Sequence, residues 1–452
     1  MKWFGGSFAP ALSCAVFLAL IPRVSVADQT LFQGDGTTLS AGLEVGAYYG
    51  HTNHANFGVG VIDFRTSAQR SSQVDAYEGY LKPHLHGHTD TDALGSFYSR
   101  LSLVAAISRG DVDAAGITRG SEEDIDSEEM VGGWRSGNLL AGLGKDALDI
   151  SVGAQEFQTG DGFLIWDGNN DAFQDGAYWL IPRDAFERSA VIRLNTGPVQ
   201  SALFYLKADR DHDRAEFGGI NVDYILKDTL SFGAAYMDFF DADDRLTTRN
   251  GMKLADLRFK LDKIPHLPGA SFSGEYVHQF GTNRGTRIEA DGWHLTARYD
   301  FKSLPWTPFV RYRFAKFTGD DPSTPEFEQY DSLFYGYSEY GDWYQGEIVS
   351  NLLLANQNQR NHMVHIGAQP RAWLRLDAMY YRFDLDQRFA NRTVTTNRHF
   401  ADEIDLSFEI FLSRTSSIGA LYSAAFPGQA AVQSVGGNKT IQAFEIFAIF
   451  TF

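Results

Sequence analysis

The feature that most constrains this chain is an alternation of apolar and polar residues with a period of two. Between residues 97 and 107, one face carries Phe97, Leu101, Leu103 and Ile107, and the opposite face carries Arg100. The same alternation fills residues 253–262, 295–301, 310–314 and 404–412. No segment shows helical periodicity of comparable strength. The pattern therefore predicts many β-strands of about ten residues, each with one apolar and one polar face.

A soluble β-sandwich could show the same alternation, with its apolar face packed inside. Two features favour a membrane barrel instead. Aromatic pairs near predicted strand ends are typical of the girdles at membrane interfaces; they are Tyr48–Tyr49, Phe239–Phe240 and Tyr380–Tyr381. The chain also ends in Phe452, which shares one strand face with Phe444, Ile446, Ala448 and Phe450. This end resembles the terminal strand by which outer-membrane barrels are recognised for assembly.

Helical membrane spans are excluded by the distribution of apolar residues. Mean hydropathy is −0.25 and the only long apolar run lies at the N-terminus, whereas each spanning helix needs about 20 mostly apolar residues. A closed barrel is the other structure that pairs every backbone group in lipid. We therefore predict an all-β fold, a transmembrane antiparallel β-barrel of about 18 strands, at roughly 24 residues for each strand and its connection.

Residues 1–27 have the features of a cleaved signal peptide. Lys2 supplies a positive charge, residues 9–21 are mostly apolar, and Ser25-Val26-Ala27 matches a small-x-small cleavage site. A buried N-terminal helix is the alternative, and it explains these flanking residues less well. The single cysteine, Cys14, lies inside the apolar run, which argues against a lipid anchor and leaves no disulfide in the mature chain. Residues 28–452 are predicted to form one barrel domain.

The charge of the chain is strongly acidic. With 39 basic and 57 acidic residues the net charge is −18, and loss of Lys2 and Arg23 with the signal peptide would make it −20. Such a balance argues against a partner of duplex nucleic acid. Much of the acidic surplus lies in four segments predicted to be loops, residues 111–129, 209–217, 282–291 and 318–330. We therefore expect the negative charge mainly outside the pore.

Arginines recur on the face opposite the apolar one, and we predict that they line the lumen: Arg100, Arg193, Arg258, Arg298, Arg311, Arg313 and Arg375. An arginine facing lipid would cost roughly 2–4 kcal/mol at the bilayer midplane. Rings of arginine select anions, and guanidinium binds carboxylates bidentately. The alternative is a ladder of salt bridges that stiffens the wall without selecting a solute, with the partners Asp256, Glu275, Asp300, Asp377, Asp405 and Glu409. Both effects are expected at different heights in the pore.

The sequence contains only weak patterns for metal sites and none for a catalytic site. His84, His86 and His88 share a strand face and could converge on a metal, but a polar strand end entering a turn explains them better. Residues 167–171 (DGNND) match the first ligand positions of a calcium loop, yet Ala172 and Tyr178 replace the required glycine and glutamate. No positioned nucleophile appears. We predict no enzyme, no metal and no cofactor.

Several stretches resemble the alginate export family of outer-membrane proteins. They are GDGFLIWDGNNDAFQDGAYWLIPRDAF (160–186), LFYGYSEYGDWYQGEIVSNLLLANQNQ (333–359), ADEIDLSFEIF (401–411) and AAFPG (424–428). The resemblance implies a monomeric 18-stranded barrel that passes a polyuronate through an arginine-rich lumen. It also implies that Trp179 and Arg183 are wall or constriction residues that line the pore, and that Trp343, Gln345 and Glu347 form a structural or pore-facing cluster.

Together these observations predict a passive, anion-selective channel in the outer membrane of a Gram-negative cell. The favoured cargo is an anionic polysaccharide such as alginate, moved by export. The alternative is a substrate-specific uptake porin for small organic anions on the same barrel, and a third class is an outer-membrane hydrolase or adhesin. The expected partners are outer-membrane lipid, the substrate, and the outer-membrane assembly machinery, which would recognise Phe452.

Overall fold

A computed structural model of the chain describes residues 28–91, 93–111, 113–169, 171–227, 229–243, 249–336 and 345–452. The predicted signal peptide, 1–27, lies outside these residues. The strands of the first half are β1 (Gln29–Gly34), β2 (Thr37–Asn53), β3 (Gln73–Thr91), β4 (Gly95–Gly110), β5 (Glu123–Arg135), β6 (Leu148–Gln155), β7 (Phe186–Thr196), β8 (Val199–Lys207), β9 (Glu216–Leu226), β10 (Leu230–Asp241) and β11 (Met252–Leu261).

The second half continues with β12 (Ala270–Asn283), β13 (Thr286–Asp300), β14 (Phe309–Phe317), β15 (Gln359–Arg371), β16 (Leu374–Leu385), β17 (Phe389–Ala390), β18 (Thr393–Val394), β19 (His399–Phe411), β20 (Ser417–Pro427) and β21 (Ile441–Thr451). Within the residues that the structure describes, three short helical segments accompany the strands: a 3-10 turn Asn56–Gly58, a π-helix Gly346–Leu354 and the helix α1 (Gln429–Val435). None of the helices in the described residues is long and apolar enough to cross a membrane.

Eighteen antiparallel strands close into one barrel, as the alternation predicted. They are β2–β16 and β19–β21; β17 and β18 pair only with each other. The barrel closes where β21 pairs with β2, from Glu44↔Thr451 to Asn53↔Gln442. The short β1 pairs with the beginning of β2, where Gln29 lies opposite Ala41. It thus lies along the same edge of β2 as the end of β21.

The two faces of each strand follow the predicted alternation. On β11 the side chain of Leu257 is 64% exposed on the outside, whereas Asp256 is buried inside. On β19 Leu406 is exposed and Asp405 is buried. All five segments with predicted alternation lie in strands of the barrel, namely β4, β11, β13, β14 and β19, apart from one residue at the end of three of them. The barrel therefore has an apolar outer surface, and charged residues such as Asp256 and Asp405 lie on its inner wall.

The two members of each aromatic pair cannot both belong to an outer girdle, because neighbouring residues on a strand point to opposite faces. Phe240 and Tyr380 are exposed outside, while Phe239 and Tyr381 are buried inside. Tyr48 also points inward, as its contact with an inner loop shows below. The girdle interpretation is therefore wrong for one member of each pair.

The two ends of the barrel differ in the length of their connections. The long connections, including 54–72, 156–185 and 318–358, lie at one end, and the termini of the barrel and the shorter turns lie at the other. Three predicted loops were too long. Residues 123–129 belong to β5, residues 216–217 begin β9, and most of 282–291 forms the β12–β13 hairpin. Its two turn residues, Arg284 and Gly285, have φ of 47° and 90°, as a tight hairpin requires.

Candidate functional site

Two inner loops fill much of the barrel. The first inner loop is the connection 156–185 between β6 and β7, and the second inner loop is the segment 318–336 that follows β14. They meet where Ile165 and Phe334 form a parallel bridge. The ring of Phe163 lies 6.4 Å from that of Tyr330, and all four side chains are buried in one cluster with wall residues such as Phe217. The packed loops therefore narrow the lumen.

Trp179 of the first inner loop reaches the wall at β2 and β21, about a quarter of the way around the barrel from β6 and β7. Its indole stacks on the ring of Tyr48 at 4.3 Å between centroids and lies 5.3 Å from the ring of Phe447. Its Nε1–H donates a hydrogen bond of 3.0 Å to Glu347, in the π-helix. Tyr48 in turn donates a hydrogen bond to Glu445 on β21. Trp179 thus connects the first inner loop, the π-helix and the seam where the barrel closes.

Three carboxylates on the wall anchor these inner segments by accepting backbone hydrogen bonds. Glu78 on β3 accepts from the N–H groups of Trp179 and Leu180 at 2.9–3.2 Å. Glu128 on β5 accepts from residues 184 and 185 at 2.8 and 3.0 Å. Glu403 on β19 accepts from residues 348 and 349 at 2.8 and 2.7 Å. Part of the acidic charge therefore lies inside the barrel, where these three residues hold the inner segments to the wall.

Four of the seven predicted lumen arginines pair with carboxylates on the inner wall. The nitrogen–oxygen distances are 3.0 Å for Arg100 with Glu129, 2.8 Å for Arg258 with Asp223, 2.9 Å for Arg298 with Asp300, and 2.8 Å for Arg375 with Asp377. Arg258 also pairs with Asp256. Salt bridging, which was the alternative to anion selection, is therefore present along the wall, and it neutralises part of the arginine charge.

The other three predicted arginines have different surroundings. Arg311 and Arg313 point inward from β14 and are buried. The guanidinium of Arg311 lies 5.7 Å from the ring of Phe309, and Arg313 donates a hydrogen bond to Thr296 at 3.1 Å. Arg193 on β7 forms no salt bridge in the described part of the chain.

The predicted acidic partners are all on inward positions, but not all of them meet arginine. Asp377 accepts a hydrogen bond from His365 at 2.7 Å as well as pairing with its arginine. Asp405 is buried beneath the π-helix and accepts the backbone N–H of Glu347 at 3.4 Å. Glu409 lies opposite Arg375 in the register of β16 and β19. Glu275 is buried on β12.

Arg183 has a different role from the one that the resemblance implied. It is 1% exposed and lies inside the first inner loop, where its guanidinium pairs with Asp171 at 2.5 Å. It therefore stabilises the loop and does not line the pore. The same pair places a cation of the chain itself beside Asp171, one of the carboxylates in the stretch that matches the first ligand positions of a calcium loop.

Two other residues for which the family resemblance implied a role, Gln345 and Glu347, belong to the same group of inner segments as Trp179. Gln345 is buried next to the π-helix, and Glu347 meets Trp179. Trp343 lies outside the described residues.

His84, His86 and His88 all point into the lumen from β3, near the end of the barrel with the short turns. Phe452 pairs with the backbone of Leu43 at 2.8 and 3.0 Å and so completes the closure of the barrel.

A polar cavity of about 440 Å³ remains on the inner wall beside the first inner loop. Arg193 and Arg258 line it, and the ring of Phe157 lies 5.6 Å from the Arg193 guanidinium. Asn195, Gln200, Asn221, Ser231 and Ser273 add amide and hydroxyl groups to the lining, and Asp161, Asp223 and Glu275 add carboxyl groups. Such a lining offers guanidinium groups and many hydrogen-bonding groups to a polar solute, with carboxyl groups beside them.

Sequence reasoning missed the wall carboxylates that hold the loops. Their signal is present in the alternation, because Glu403 and Asp405 flank the outward-facing Ile404. The alternation indicates that they face inward. The alternation does not indicate that a distant loop supplies the hydrogen-bond donors for these carboxylates. Those contacts join residues far apart in the sequence, such as 78 and 179.

With this geometry established, comparison with known proteins identifies the family. The family model described as "Alginate export" matches residues 89–440. The chain belongs to the alginate export family. A search of curated proteins found no match.

The solved structures that resemble this family member have the same barrel at low sequence identity. Acinetobacter baumannii OccAB2 is 10% identical with a TM-score of 0.60, over 93% of this chain and 99% of that chain. Pseudomonas aeruginosa OccK5 (OpdH) is 11% identical with a TM-score of 0.58, over 92% and 98%. Pseudomonas aeruginosa OpdQ is 12% identical with a TM-score of 0.54, over 92% and 98%.

These neighbours are outer-membrane porins. This member of the alginate export family is an outer-membrane channel protein of a Gram-negative cell, and its family and fold are those of channels rather than enzymes.

Proposed function

We propose that this channel is anion-selective and exports a polyuronate of the alginate type. The observation that carries the proposal is the cavity lined by Arg193 and Arg258. Each residue of a polyuronate carries one carboxylate, which a guanidinium can bind in a bidentate manner. The amides and hydroxyls around the two arginines can hydrogen-bond to sugar hydroxyls. Membership of the alginate export family supports the same cargo.

The positive charge of the wall arginines is partly neutralised by neighbouring carboxylates. Weak binding of the cargo at such a wall suits transport better than tight binding would. Arg258 shares its charge with Asp223 and Asp256, so a carboxylate of the cargo would compete for it and would be held weakly. The described partners of Arg193 are the Phe157 ring, Ser151 at a long contact of 3.4 Å, and the Asp149 carboxylate through electrostatic attraction without a salt bridge. Conduction requires sites that are favourable enough to enter and weak enough to leave.

Uptake of small organic anions is the second candidate function. The observation that favours it is the packing of the inner loops, since Phe163 and Phe334 fill a large part of the lumen with apolar side chains. A lumen narrowed in this way suits a small solute, whereas a polymer would need the loops to move or would have to thread between them. The cavity volume is also in the range of small-molecule sites.

The test is the conductance of the refolded mature protein in a planar bilayer. The reversal potential in a salt gradient gives the charge preference, which we expect to be anionic. Oligouronates of increasing length and small monocarboxylates are then added separately. We expect concentration-dependent block by the oligouronates that strengthens with length. Block by small carboxylates alone would favour the second candidate, and a cation preference would contradict both.

The contribution of the cavity is tested with Arg193→Gln. We expect this variant to weaken oligouronate block by at least about tenfold, because the loss of one charge-assisted pair costs about 1.5–3 kcal/mol after its exchange with water. Arg298→Gln is the matched control, because it removes the same charge from an arginine outside the cavity lining. Equal loss in both variants would mean that net charge, and not the cavity, determines the block.

A further inference from the structure

One carboxylate and two imidazole side chains lie close together inside the barrel, near the end with the short turns. In the register of β1 and β2, Gln29 lies opposite Ala41, so the preceding residue, Asp28, lies beside Gly42. In the register of β2 and β3, Gly42 lies opposite His84. Asp28 and His84 therefore flank the same glycine from the two neighbouring strands. His86 lies two residues further along the inward face of β3.

The donor atoms of these three side chains are close together. The Nε2 atom of His84 lies 3.0 Å from one carboxylate oxygen of Asp28, and the Nδ1 atom of His86 lies 3.1 Å from the other. One donor atom from each residue can be chosen so that all three lie within 4.8 Å of one another. The two imidazole rings are stacked at 4.9 Å.

Gly42 provides the space in which these groups meet. A Cβ atom at this position would lie 2.4 Å from Nε2 of His84 and 2.8 Å from a carboxylate oxygen of Asp28. Real Cβ atoms do not approach other atoms so closely, so any larger residue would push the ring and the carboxylate apart. The absence of a side chain is therefore what allows the two groups to approach across β2.

We propose that Asp28, His84 and His86 bind a divalent first-row transition metal ion, with Zn²⁺ as the best fit. Two imidazoles and a carboxylate are ligands that suit zinc and its neighbours rather than Mg²⁺ or Ca²⁺, which prefer oxygen. Bonds of about 2.0–2.2 Å in a tetrahedral site place donor atoms about 3.4 Å apart. The two distances between Asp28 and the imidazoles are near this value, and all three donor atoms lie within 4.8 Å of one another, so an ion could enter with small side-chain movements. Three protein ligands leave a fourth position for water or another ligand.

The charges around the site permit a cation. Arg100 lies opposite His86 in the register of β3 and β4, but its guanidinium pairs with Glu129 at 3.0 Å. The next histidine on the same face, His88, does not join the cluster, because its Nε2 contacts Asp90 at 3.2 Å. For His88 the interpretation as a polar strand end remains adequate.

A bound ion would connect β1 to β3 across β2. It would therefore fix the short N-terminal strand, which pairs with the barrel only through β2. Since an ion that binds only the folded state stabilises it by mass action, the site would add stability at the point where the chain enters the barrel.

The experiment is calorimetric titration of the refolded, metal-depleted mature protein with ZnCl₂, without any tag before Asp28. We expect saturable binding of one ion for each chain, and no comparable binding of MgCl₂. His84→Gln and His86→Gln should each weaken zinc binding by at least about tenfold, since even indirect partners of metal ligands are worth that much. Binding should also weaken at pH 5.5, because both imidazoles must lose their protons to bind the ion.

Two variants separate a built site from binding by scattered histidines. His88→Gln is the matched control, on the same strand face, and should leave zinc affinity unchanged. Gly42→Val keeps every ligand and should weaken binding by filling the space between them. Retention of the barrel is checked by its heat-dependent mobility in gel electrophoresis. Absence of saturable binding, or equal loss in His84→Gln and His88→Gln, would overturn the proposal.

Discussion

At the scale of single residues, Arg249 and Asp331 form the most enclosed ion pair between connections of the barrel. Two hydrogen bonds of 2.9 and 3.0 Å join them, and the guanidinium lies 4.8 Å from the ring of Phe334. Burial alone would raise the pKa of Asp331, but attraction to Arg249 and its hydrogen bonds outweigh burial and hold that pKa below its ordinary value. The pair thus attaches the second inner loop to the connection after β10.

We predict that Asp331→Asn loosens the second inner loop. Removing one partner leaves the buried Arg249 charge uncompensated, which typically costs about 3–5 kcal/mol. We expect faster protease cleavage within residues 318–336 and more frequent conductance fluctuations. Because the carboxylate pKa is lowered, the stabilisation by the pair is complete above the unfolded pKa of about 3.9 and is lost only as the pH falls through the lower folded value. Its contribution should therefore not change between pH 5 and 8.

The control for this prediction is Glu326→Gln, which removes one negative charge from the same segment at a position that is not buried. It should leave cleavage and fluctuations unchanged. If Asp331→Asn behaves like Glu326→Gln, the ion pair does not hold the loop.

At the scale of elements, the strands could be predicted from the sequence, whereas the inner loops could not. The period of two identifies which residues face inward, as for Asp256 and Arg258, because each strand obeys it locally. The position of Trp179 against Tyr48 depends instead on how a 30-residue connection crosses the lumen. The path of that connection cannot be predicted from any periodic pattern in the sequence. Arg183 illustrates the result, since a motif suggested a pore residue and the structure buries it.

The first inner loop should respond to pH. Burial raises the pKa of Asp175 to about 7, and the pairing with Arg210 offsets this only in part. A carboxyl with a raised folded pKa contributes stability that is fully present below the unfolded value of about 3.9 and is lost as the pH rises through 7. We therefore predict fewer closing and opening events of the channel at pH 5 than at pH 8, measured in single-channel recordings.

The matched variants for this prediction are two Asp→Asn changes. Asp175→Asn remains uncharged throughout and should reduce the difference between pH 5 and pH 8. Asp321→Asn should not reduce it, because hydrogen bonds from Ser323 hold the pKa of Asp321 below its ordinary value, outside this window. An unchanged pH response in Asp175→Asn would assign the response to another group.

At the scale of the whole molecule, closure of the barrel depends on joining its two ends. β21 pairs with β2, and the last residue, Phe452, exchanges two backbone hydrogen bonds with Leu43. This closure could be predicted in part, because the terminal alternation and the final aromatic residue are visible in the sequence. The 18-strand count also followed from chain length. The place of β1, beside the end of β21, could not be predicted, because a six-residue strand carries too little pattern to define its partner.

The terminal phenylalanine allows assembly to be separated from stability. We predict that Phe452→Ser lowers the amount of protein assembled in the outer membrane several-fold, because the assembly machinery is expected to recognise the terminal aromatic side chain. The backbone pairing with Leu43 does not need that side chain, so the purified variant should still refold into a barrel. Phe450→Ser is the matched control, one outward position earlier on β21. Equal loss of assembly in both variants would indicate that the general apolarity of the strand matters, and not its last residue.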